Sequence, residues 1–372
     1  MNSVTDQRQR GSLGWPQFHS NSTLTQLTLT LKIGFVLAFF YSIAASISFH
    51  NKASRNLNGH LNNLQLSHLP PSPPAPVLCA NGKKKNAVLI LFGVPKQFNF
   101  VWKAYVHNII ARNPWVKFEV YMHMYSDLHQ KPFSNSRNNE RNATLDSPDD
   151  IRELLDKDEG GTQVMTMTSS QSMFEESDLS WLQQSDLPFF GDYPFETLKN
   201  IFRQGNSLKE AFFYGQKHHN NSNDDVVYIF ARSDTFLMNP VDIPCSFNLG
   251  NTDIIIPRWQ SWEGYNDRFA IAGPDAAKVY ATKNEGNKQA IVARRSKNKR
   301  KPVMNAERML RDWLLENKLN VTEHEDERAW ALLRLRADRS IAPGDLGAFK
   351  FKLVDSNMDK NLLQIEGYED RL

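Results

Sequence analysis

The sequence predicts an α/β fold, a single Rossmann-like α/β/α sandwich with a mostly parallel sheet, preceded by one N-terminal transmembrane helix. Three observations predict it. One segment near the N-terminus lacks charged side chains, a continuous apolar run at residues 87–92 ends at Gly93, and apolar runs then alternate with amphipathic segments. Continuous apolar runs are typical of parallel strands buried on both faces, and their alternation with helical patterns indicates βαβ units.

Composition restricts the class of protein. With 372 residues, 23 Phe and 8 Trp, the chain can form a sizeable core. The net charge of +3 is too small to indicate a nucleic-acid partner, and we expect none. The two cysteines, Cys79 and Cys245, exclude a disulfide scaffold and a four-cysteine metal site. They could form one bridge in an oxidising lumen or remain two unrelated thiols.

Residues 33–49 form the predicted membrane segment, which is uncharged and at the short end of the length that spans a bilayer. A buried core helix and a cleaved signal peptide, with a small-residue site at 44–46, are the alternatives. The preceding region is longer than that of most signal peptides, which favours an uncleaved signal anchor. The slight excess of Lys and Arg before the segment predicts that residues 1–32 are a cytosolic tail.

The segment is followed by a stem and then by the folded domain. Residues 50–85 are rich in Asn and Pro and include the run LPPSPPAP, which favours extended polyproline geometry. The domain is predicted to occupy residues 86–372. It opens with the strand at 87–92, an amphipathic helix at 97–112 and a second strand at 115–123. This β-α-β opening predicts a parallel sheet.

The remaining elements are predicted from periodicity, caps and apolar runs. We expect strands at 164–168, 226–231 and 253–257, and helices beginning at Ser147 and covering 195–212, 274–281 and 306–319. Residues 171–192 show no period and are predicted to be a surface excursion. The basic stretch 288–301 could bind nucleic acid, but it lacks interleaved aromatic residues, so a solvated loop is favoured.

Two charged residues follow the strand at 226–231, where an open parallel sheet binds its ligands. Arg232 and Asp234 lie two positions apart and project to the same side if the chain stays extended. The carboxylate could hold Mn²⁺ or Mg²⁺ against a diphosphate, and the guanidinium could bind phosphate oxygens. The alternative is an ion pair that ends the strand.

Other candidate residues also follow strands. Trp259 and Trp262 lie in one loop and could stack on a sugar or base, or belong to the core. Asp267 could be a general base or a salt-bridged helix start. His123 ends the second strand, where nucleotide bases commonly lie, or is a core histidine. No Gly-rich phosphate loop, Gly-x-Ser-x-Gly elbow or His-Glu-x-x-His helix is present, which disfavours kinases, dehydrogenases, hydrolases and zincins.

The order of these motifs resembles a sparsely characterised group of GT-A-type nucleotide-sugar glycosyltransferase-like proteins. Arg232-Ser-Asp234 resembles the Asp-x-Asp of such proteins with its first acid replaced by Arg. The other matching features, in chain order, are Gly93 with Lys96 in place of an Arg, the aromatic-x-His of His123, Asn266-Asp267-Arg268, the helix led by Glu307 and the late Arg334-x-Arg336.

The resemblance implies a transferase that moves a sugar from a nucleotide-sugar donor to a glycan, protein or lipid acceptor. It implies catalytic roles for Asp267 and Glu307, and sugar or acceptor stacking for Trp259 and Trp262. Asp234 would hold a divalent metal, Mn²⁺ or Mg²⁺. The donor and its diphosphate would contact Gly93, Lys96, His123, Arg232, Asp234 and Arg268.

Two further expectations follow from the resemblance and the anchor together. The protein would be a single-pass protein of the Golgi or endoplasmic reticulum membrane with a luminal C-terminal domain. Because the first acid of the Asp-x-Asp motif is missing, a non-catalytic carbohydrate-binding or scaffold protein on the same fold is the alternative.

Overall fold

The computed structural model describes residues 84–130, 133–135, 140–156, 162–183, 185–186, 194–219, 226–244, 246–297, 305–325, 330–337, 342 and 345. The predicted membrane segment at 33–49 and both cysteines, Cys79 and Cys245, lie outside these residues. Within the described ranges, no helix has the length and the apolar character needed to cross a bilayer.

The strands agree with the predicted pattern and add several short members. They are β1 (Lys85–Phe92), β2 (Val116–Tyr125), β3 (Phe133–Asn135), β4 (Glu140–Ala143), β5 (Val164–Ser169), β6 (Val226–Arg232), β7 (Thr235–Leu237), β8 (Asp253–Ile256), β9 (Phe269–Ala272), β10 (Asn320–Glu323) and β11 (Leu332–Arg334).

The helices alternate with these strands through most of the described chain. They are α1 (Phe98–Tyr105), α2 (Pro148–Asp156), α3 (Gln171–Asp178), α4 (Phe195–His218), α5 (Pro274–Ala281), α6 (Lys283–Lys297) and α7 (Ala306–Glu316). The first helix continues as a π-helical turn at Val106–Ile110.

The main sheet has seven strands in the order β10-β8-β9-β6-β1-β2-β5. Only β9 runs antiparallel to the other six. This confirms the prediction of a mixed α/β domain with a mostly parallel sheet. The chain passes outward from β1 through β2 to β5 and then returns to the other side of β1 as β6. The strand order therefore reverses between β1 and β6, and ligands of open α/β sheets bind at such a switch point.

Alternating side chains of the central strand separate two cores, as the two-residue period of a strand requires. Leu89 faces the side covered by α1, where Tyr105 lies. Ile90 faces the opposite side, where it packs in the same cluster as Phe212 of α4 and Tyr280 of α5. Because both faces are covered, β1 is apolar along nearly its whole length. The central strand is thus fixed in place from both sides.

Two predictions about loops were wrong in part. Residues 171–178 form α3, whose first turn is held by polar caps, one from Ser170 and one from the distant Asp127, rather than by an apolar stripe. The Ser170 hydroxyl accepts from the Met173 amide, at 3.2 Å, and the Asp127 carboxylate accepts from the amides of Gln171 and Ser172. Such polar caps leave no apolar period in the sequence.

The basic stretch is largely helical, because α6 continues to residue 297. The side chains of Lys288 and Arg295 lie over the ring of Trp181, at 5.2 and 5.4 Å from its centroid, and Arg295 also binds Asp186. These basic side chains therefore pack against a distant part of the chain instead of forming a solvated loop.

Candidate functional site

A cavity of about 500 Å³ opens at the carboxyl ends of β1, β2, β5 and β6. Lys96 follows β1, Asp127 follows β2, Glu175 belongs to the helix after β5, and Arg232 and Asp234 end β6. The volume is in the range of small-molecule sites, and the position is the switch point between β1 and β6. Of the predicted site residues, Gly93, Lys96, Arg232 and Asp234 line this cavity.

Gly93 turns the chain out of β1 and towards the cavity. Its φ of +95° lies in the left-handed region that favours glycine. Its amide donates to the hydroxyl of Ser207, at 2.8 Å, which ties the turn to α4. Three residues later, Lys96 is buried in the cavity wall. The turn therefore places a cationic side chain beside the end of β6.

Arg232 and Asp234 form a bidentate ion pair in the cavity wall. Arg232 Nε donates to Asp234 Oδ1 at 2.8 Å, and a terminal guanidinium nitrogen donates to Oδ2 at 2.7 Å. Burial by itself would raise the pKa of Asp234, but the guanidinium outweighs it, with help from Lys96 and Arg334, so that the pKa lies below its usual value. The predicted ligand pair is therefore an internal ion pair that faces the cavity.

A divalent cation at Asp234 does not fit this arrangement. Both carboxylate oxygens accept hydrogen bonds from Arg232, and the other charged groups that act on Asp234 are Lys96 and Arg334. In the part of the chain that the structure describes, no three His, Cys, Asp or Glu side chains are grouped so as to hold a metal ion. Hard cations need several oxygen ligands, and cations at close range oppose their binding.

Asp267 lies one layer behind the cavity wall. Its Oδ2 is 3.7 Å from Lys283 Nζ and accepts a hydrogen bond from Gln204 Nε2 at 3.3 Å. Burial favours the neutral acid, but Lys283 and Arg232 lower the pKa, so the carboxylate is ionised at neutral pH. Gln204 itself lines the cavity. Gln204 thus connects Asp267 to the cavity.

Arg268 points away from the cavity, into a buried cluster. One guanidinium nitrogen donates to Asp345 at 3.2 Å, and the guanidinium carbon lies 5.4 Å from the centre of the Trp259 ring. The same carboxylate accepts from the backbone and the side chain of Arg334. Burial lowers the pKa of Arg268 to about 10, against the attraction of Asp345. Trp259 is thus a core residue whose ring contacts Arg268.

His123 has both ring nitrogens engaged inside the fold. Nδ1 lies 3.0 Å from the Ser207 hydroxyl, and Nε2 lies 2.8 Å from the Ser169 hydroxyl. Burial lowers its pKa to about 4, so the ring is neutral at physiological pH. In this geometry His123 connects β2 to the Ser207 hydroxyl that also holds Gly93. A direct contact with a donor stays a prediction.

Trp262 and Glu307 do not line the cavity, and they lie on a loop and a helix that pack together. The Trp262 side chain is 64% exposed, and its φ of +42° and that of Glu263, +65°, are rare for residues with side chains. The loop is held against α7, because the Tyr265 amide donates to the Glu307 carbonyl at 3.0 Å. Burial lowers the pKa of Lys283, and the Glu307 carboxylate is close enough to oppose this shift. The Trp262 side chain is thus exposed to solvent, and its contact with an acceptor stays a prediction.

The charged groups behind the cavity do not balance. Five cations, Lys96, Arg232, Arg268, Lys283 and Arg334, face three carboxylates, Asp234, Asp267 and Asp345. Two positive charges are therefore in excess, and one remains when Glu307 is counted. This positive excess, which favours an anionic ligand, belongs to the cluster at the end of β6, whereas the rest of the cavity lining contains the carboxylates of Asp127, Glu175, Glu176 and Glu196 with Arg203.

Sequence reasoning missed several members of this cluster. Lys283, Gln204 and Asp345 belong to segments far apart in the chain, and none stands in a recognisable motif. Lys283 begins α6, of which the basic part from residue 288 was predicted to be a solvated loop, and Asp345 comes after β11. The only available signal was the position of Asp345 soon after the Arg334-x-Arg336 motif. Their roles follow from their distances to Asp267 and to the arginines.

No family model matches the chain, and no curated protein does. Among solved structures, the chain is similar to the galactosyltransferase LgtC in complex with donor and acceptor sugar analogs, with 9% identity and a TM-score of 0.33. The match covers 64% of this chain and 72% of that one. LgtC belongs to the class of enzyme that the sequence motifs resemble, but a similarity of this size carries no argument about function.

Proposed function

We propose that this protein is a nucleotide-sugar-dependent glycosyltransferase with a GT-A-like catalytic domain. The observation that carries the proposal is the cavity at the β1/β6 switch point, whose wall contains Lys96 and the Arg232–Asp234 pair. A donor diphosphate is the anion that this position and these cations suit. The order of the sequence motifs supports the same class of donor.

The roles of the residues follow from their positions. Lys96 and Arg232 bind the diphosphate of the donor and stabilise the leaving nucleotide. Asp267 is ionised and is the candidate base, with Glu307 as the second carboxylate near it. The exposed indole of Trp262 contributes to the binding of the acceptor. The acceptor is a glycan, protein or lipid.

The cellular setting is a proposal based on the sequence. The segment at 33–49 anchors the chain as a single-pass protein of the Golgi or endoplasmic reticulum membrane, with residues 86–372 in the lumen. Protease treatment of intact microsomes is expected to spare this domain and to degrade it once detergent is added. Degradation without detergent would refute the luminal orientation.

The test of activity uses the full chain purified in detergent. It is incubated with UDP- and GDP-sugars and a panel of glycan, peptide and lipid acceptors, with release of the nucleotide as the readout. Calorimetry with UDP and GDP measures binding. We expect Asp234→Ala to lower turnover by orders of magnitude, because it releases the Arg232 guanidinium from its position in the cavity wall. We expect Arg232→Ala to weaken nucleotide binding by roughly 2–3 kcal/mol, the scale of a charge-assisted hydrogen bond. Lys278→Gln, an exposed change on α5, is the control.

One observation favours a second candidate, a non-catalytic carbohydrate-binding or scaffold protein on the same fold. The first acid of an Asp-x-Asp motif is an arginine here, and it occupies both oxygens of the remaining acid. Binding of glycans without binding of UDP or GDP, and without release of nucleotide from any donor, would support this candidate and refute the transferase.

A further inference from the structure

We propose that Lys283 and Tyr280 complete a diphosphate-binding site in which protein cations replace a divalent metal. The inference rests on the proposed function, because the diphosphate is that of the nucleotide donor. The site consists of Lys96 and Arg232 in the cavity wall, with Lys283 and Tyr280 one layer behind them.

The first argument is an unsatisfied ammonium group. Lys283 is 4% exposed, and its Nζ makes no hydrogen bond within 3.5 Å to the described part of the chain. Its nearest charged partner is Asp267, at 3.7 Å, and the aromatic rings of Phe92 and Tyr280 lie on other sides at 5.5 and 5.6 Å. An ammonium group has three donors, and leaving them unused in a buried site is costly.

The second argument is independent and concerns a hydroxyl group at the same place. Tyr280 is fully buried, and its hydroxyl has no hydrogen-bond partner among the described residues. Asp267 and Arg232 both act electrostatically on this hydroxyl, so it lies in the same environment as Lys283. Buried tyrosine hydroxyls usually find a partner. Lys283 and Tyr280 are thus two buried donors without a hydrogen-bond partner among the described residues, and an acceptor such as a phosphate oxygen would satisfy them.

The third argument is the route from the cavity. Gln204 lines the cavity and is bound to Asp267 by one long hydrogen bond of 3.3 Å. In the proposed complex, a phosphate oxygen displaces this amide and accepts a hydrogen bond from Lys283 Nζ, while a second phosphate stays beside Arg232 and Lys96. The cluster at the end of β6 has two excess positive charges, or one when Glu307 is counted, and these offset all or half of the two negative charges that a bridging diphosphate ester carries. Both carboxylate oxygens of Asp234, the residue predicted to hold a metal, accept hydrogen bonds from Arg232.

The test is calorimetric titration of the full chain in detergent with inorganic pyrophosphate, UDP and GDP, once with EDTA and once with Mn²⁺. We expect binding in EDTA, with the dissociation constant changed less than about threefold by Mn²⁺. Lys283→Gln is expected to weaken binding by about tenfold or more, the scale of one charge-assisted hydrogen bond. Lys278→Gln, on the exposed face of the preceding helix, is the matched control and should bind as the wild type does.

Tyr280→Phe is a second variant, which keeps the test valid if Lys283→Gln fails to fold. It removes only a hydroxyl that has no hydrogen-bond partner among the described residues. We expect it to weaken pyrophosphate binding severalfold while leaving the thermal midpoint unchanged or slightly raised. Wild-type affinity in both Tyr280→Phe and Lys283→Gln would overturn the inference.

The remaining outcomes separate the inference from the proposed function. Binding of UDP or GDP only in the presence of Mn²⁺ would overturn the metal-independent site and leave the transferase standing. Binding of pyrophosphate in EDTA without binding of either nucleotide would support the anion site and refute the nucleotide-dependent transferase. An absence of binding by all three probes under both conditions would refute both.

Discussion

Breaking the Arg232–Asp234 pair by removing one partner is predicted to destabilise the domain strongly, and the structure allows the size of this effect to be estimated. The two hydrogen bonds of 2.8 and 2.7 Å join side chains that are 17% and 8% exposed, so solvent screens them little. Removing one partner of a buried pair typically costs about 3–5 kcal/mol, because the other charge is left uncompensated.

The two single substitutions should lower the free energy of unfolding by different amounts. Asp234→Asn leaves Arg232, Lys96 and Arg334 without their shared carboxylate, so we expect a loss near the upper end, about 5 kcal/mol. Arg232→Gln leaves Asp234 beside two other cations, and we expect about 3 kcal/mol. The double variant should lose less than the sum of the two, with a coupling energy of about 2 kcal/mol.

The measurement is urea unfolding of the full chain in detergent at pH 7, followed by tryptophan fluorescence. Arg112→Gln is the matched control, since Arg112 and Asp242 form a close pair at 2.6 Å with 28% and 60% exposure. Breaking such a surface pair should cost less than about 1 kcal/mol. If Asp234→Asn cost no more than this control, the reasoning that the cavity pair is desolvated would be refuted.

Three further predictions concern the surroundings of the site. Burial lowers the pKa of His123 from 6.5 to about 4, so protons bind preferentially to the unfolded chain. The free energy of unfolding should therefore fall by about 2 kcal/mol between pH 7 and pH 5. Urea unfolding of His123→Gln at the two pH values should lack this component. At Gly264 an added Cβ would lie 2.0 Å from the carbonyl carbon of Glu307, so Gly264→Ala should cost about 2–3 kcal/mol, and an unchanged melting temperature would contradict this close approach. Asp345→Ala removes a buried carboxylate that accepts three hydrogen bonds from Arg334. We expect the free energy of unfolding to fall by about 3–5 kcal/mol in the same urea assay. A fall of less than about 1 kcal/mol would show that the cluster is not buried.

Several features of the fold were predictable from the sequence because they depend on neighbours along the chain. The run at 87–92 is apolar at every position, which only a strand covered on both faces requires, and it became β1. Arg232 and Asp234 were placed at the end of β6 and at the cavity because the end of a strand is visible in its pattern. Segments with a strong period or a continuous apolar run were therefore predicted well.

Elements without an apolar period were missed for a physical reason. α3 is stabilised by hydrogen bonds from its first amides to Asp127, which lies in another segment. α6 packs its basic side chains on Trp181, more than a hundred positions earlier in the chain for each of them. Neither interaction has a signature within the helix itself, because the stabilising partner is brought there by the tertiary fold.

The amino-acid sequence by itself determined the class of the sheet, the order of its motifs and the charged residues that follow its strands. The tertiary structure alone decided the partner of each charge: Arg232 binds Asp234, Lys283 faces Asp267, and Asp345 binds Arg268 and Arg334. Coulomb attraction and desolvation depend on distance and burial, which positions along the chain do not give. The sequence could therefore name the residues at the carboxyl edge of the sheet, whereas their ionisation and their open hydrogen-bonding positions follow from the folded arrangement.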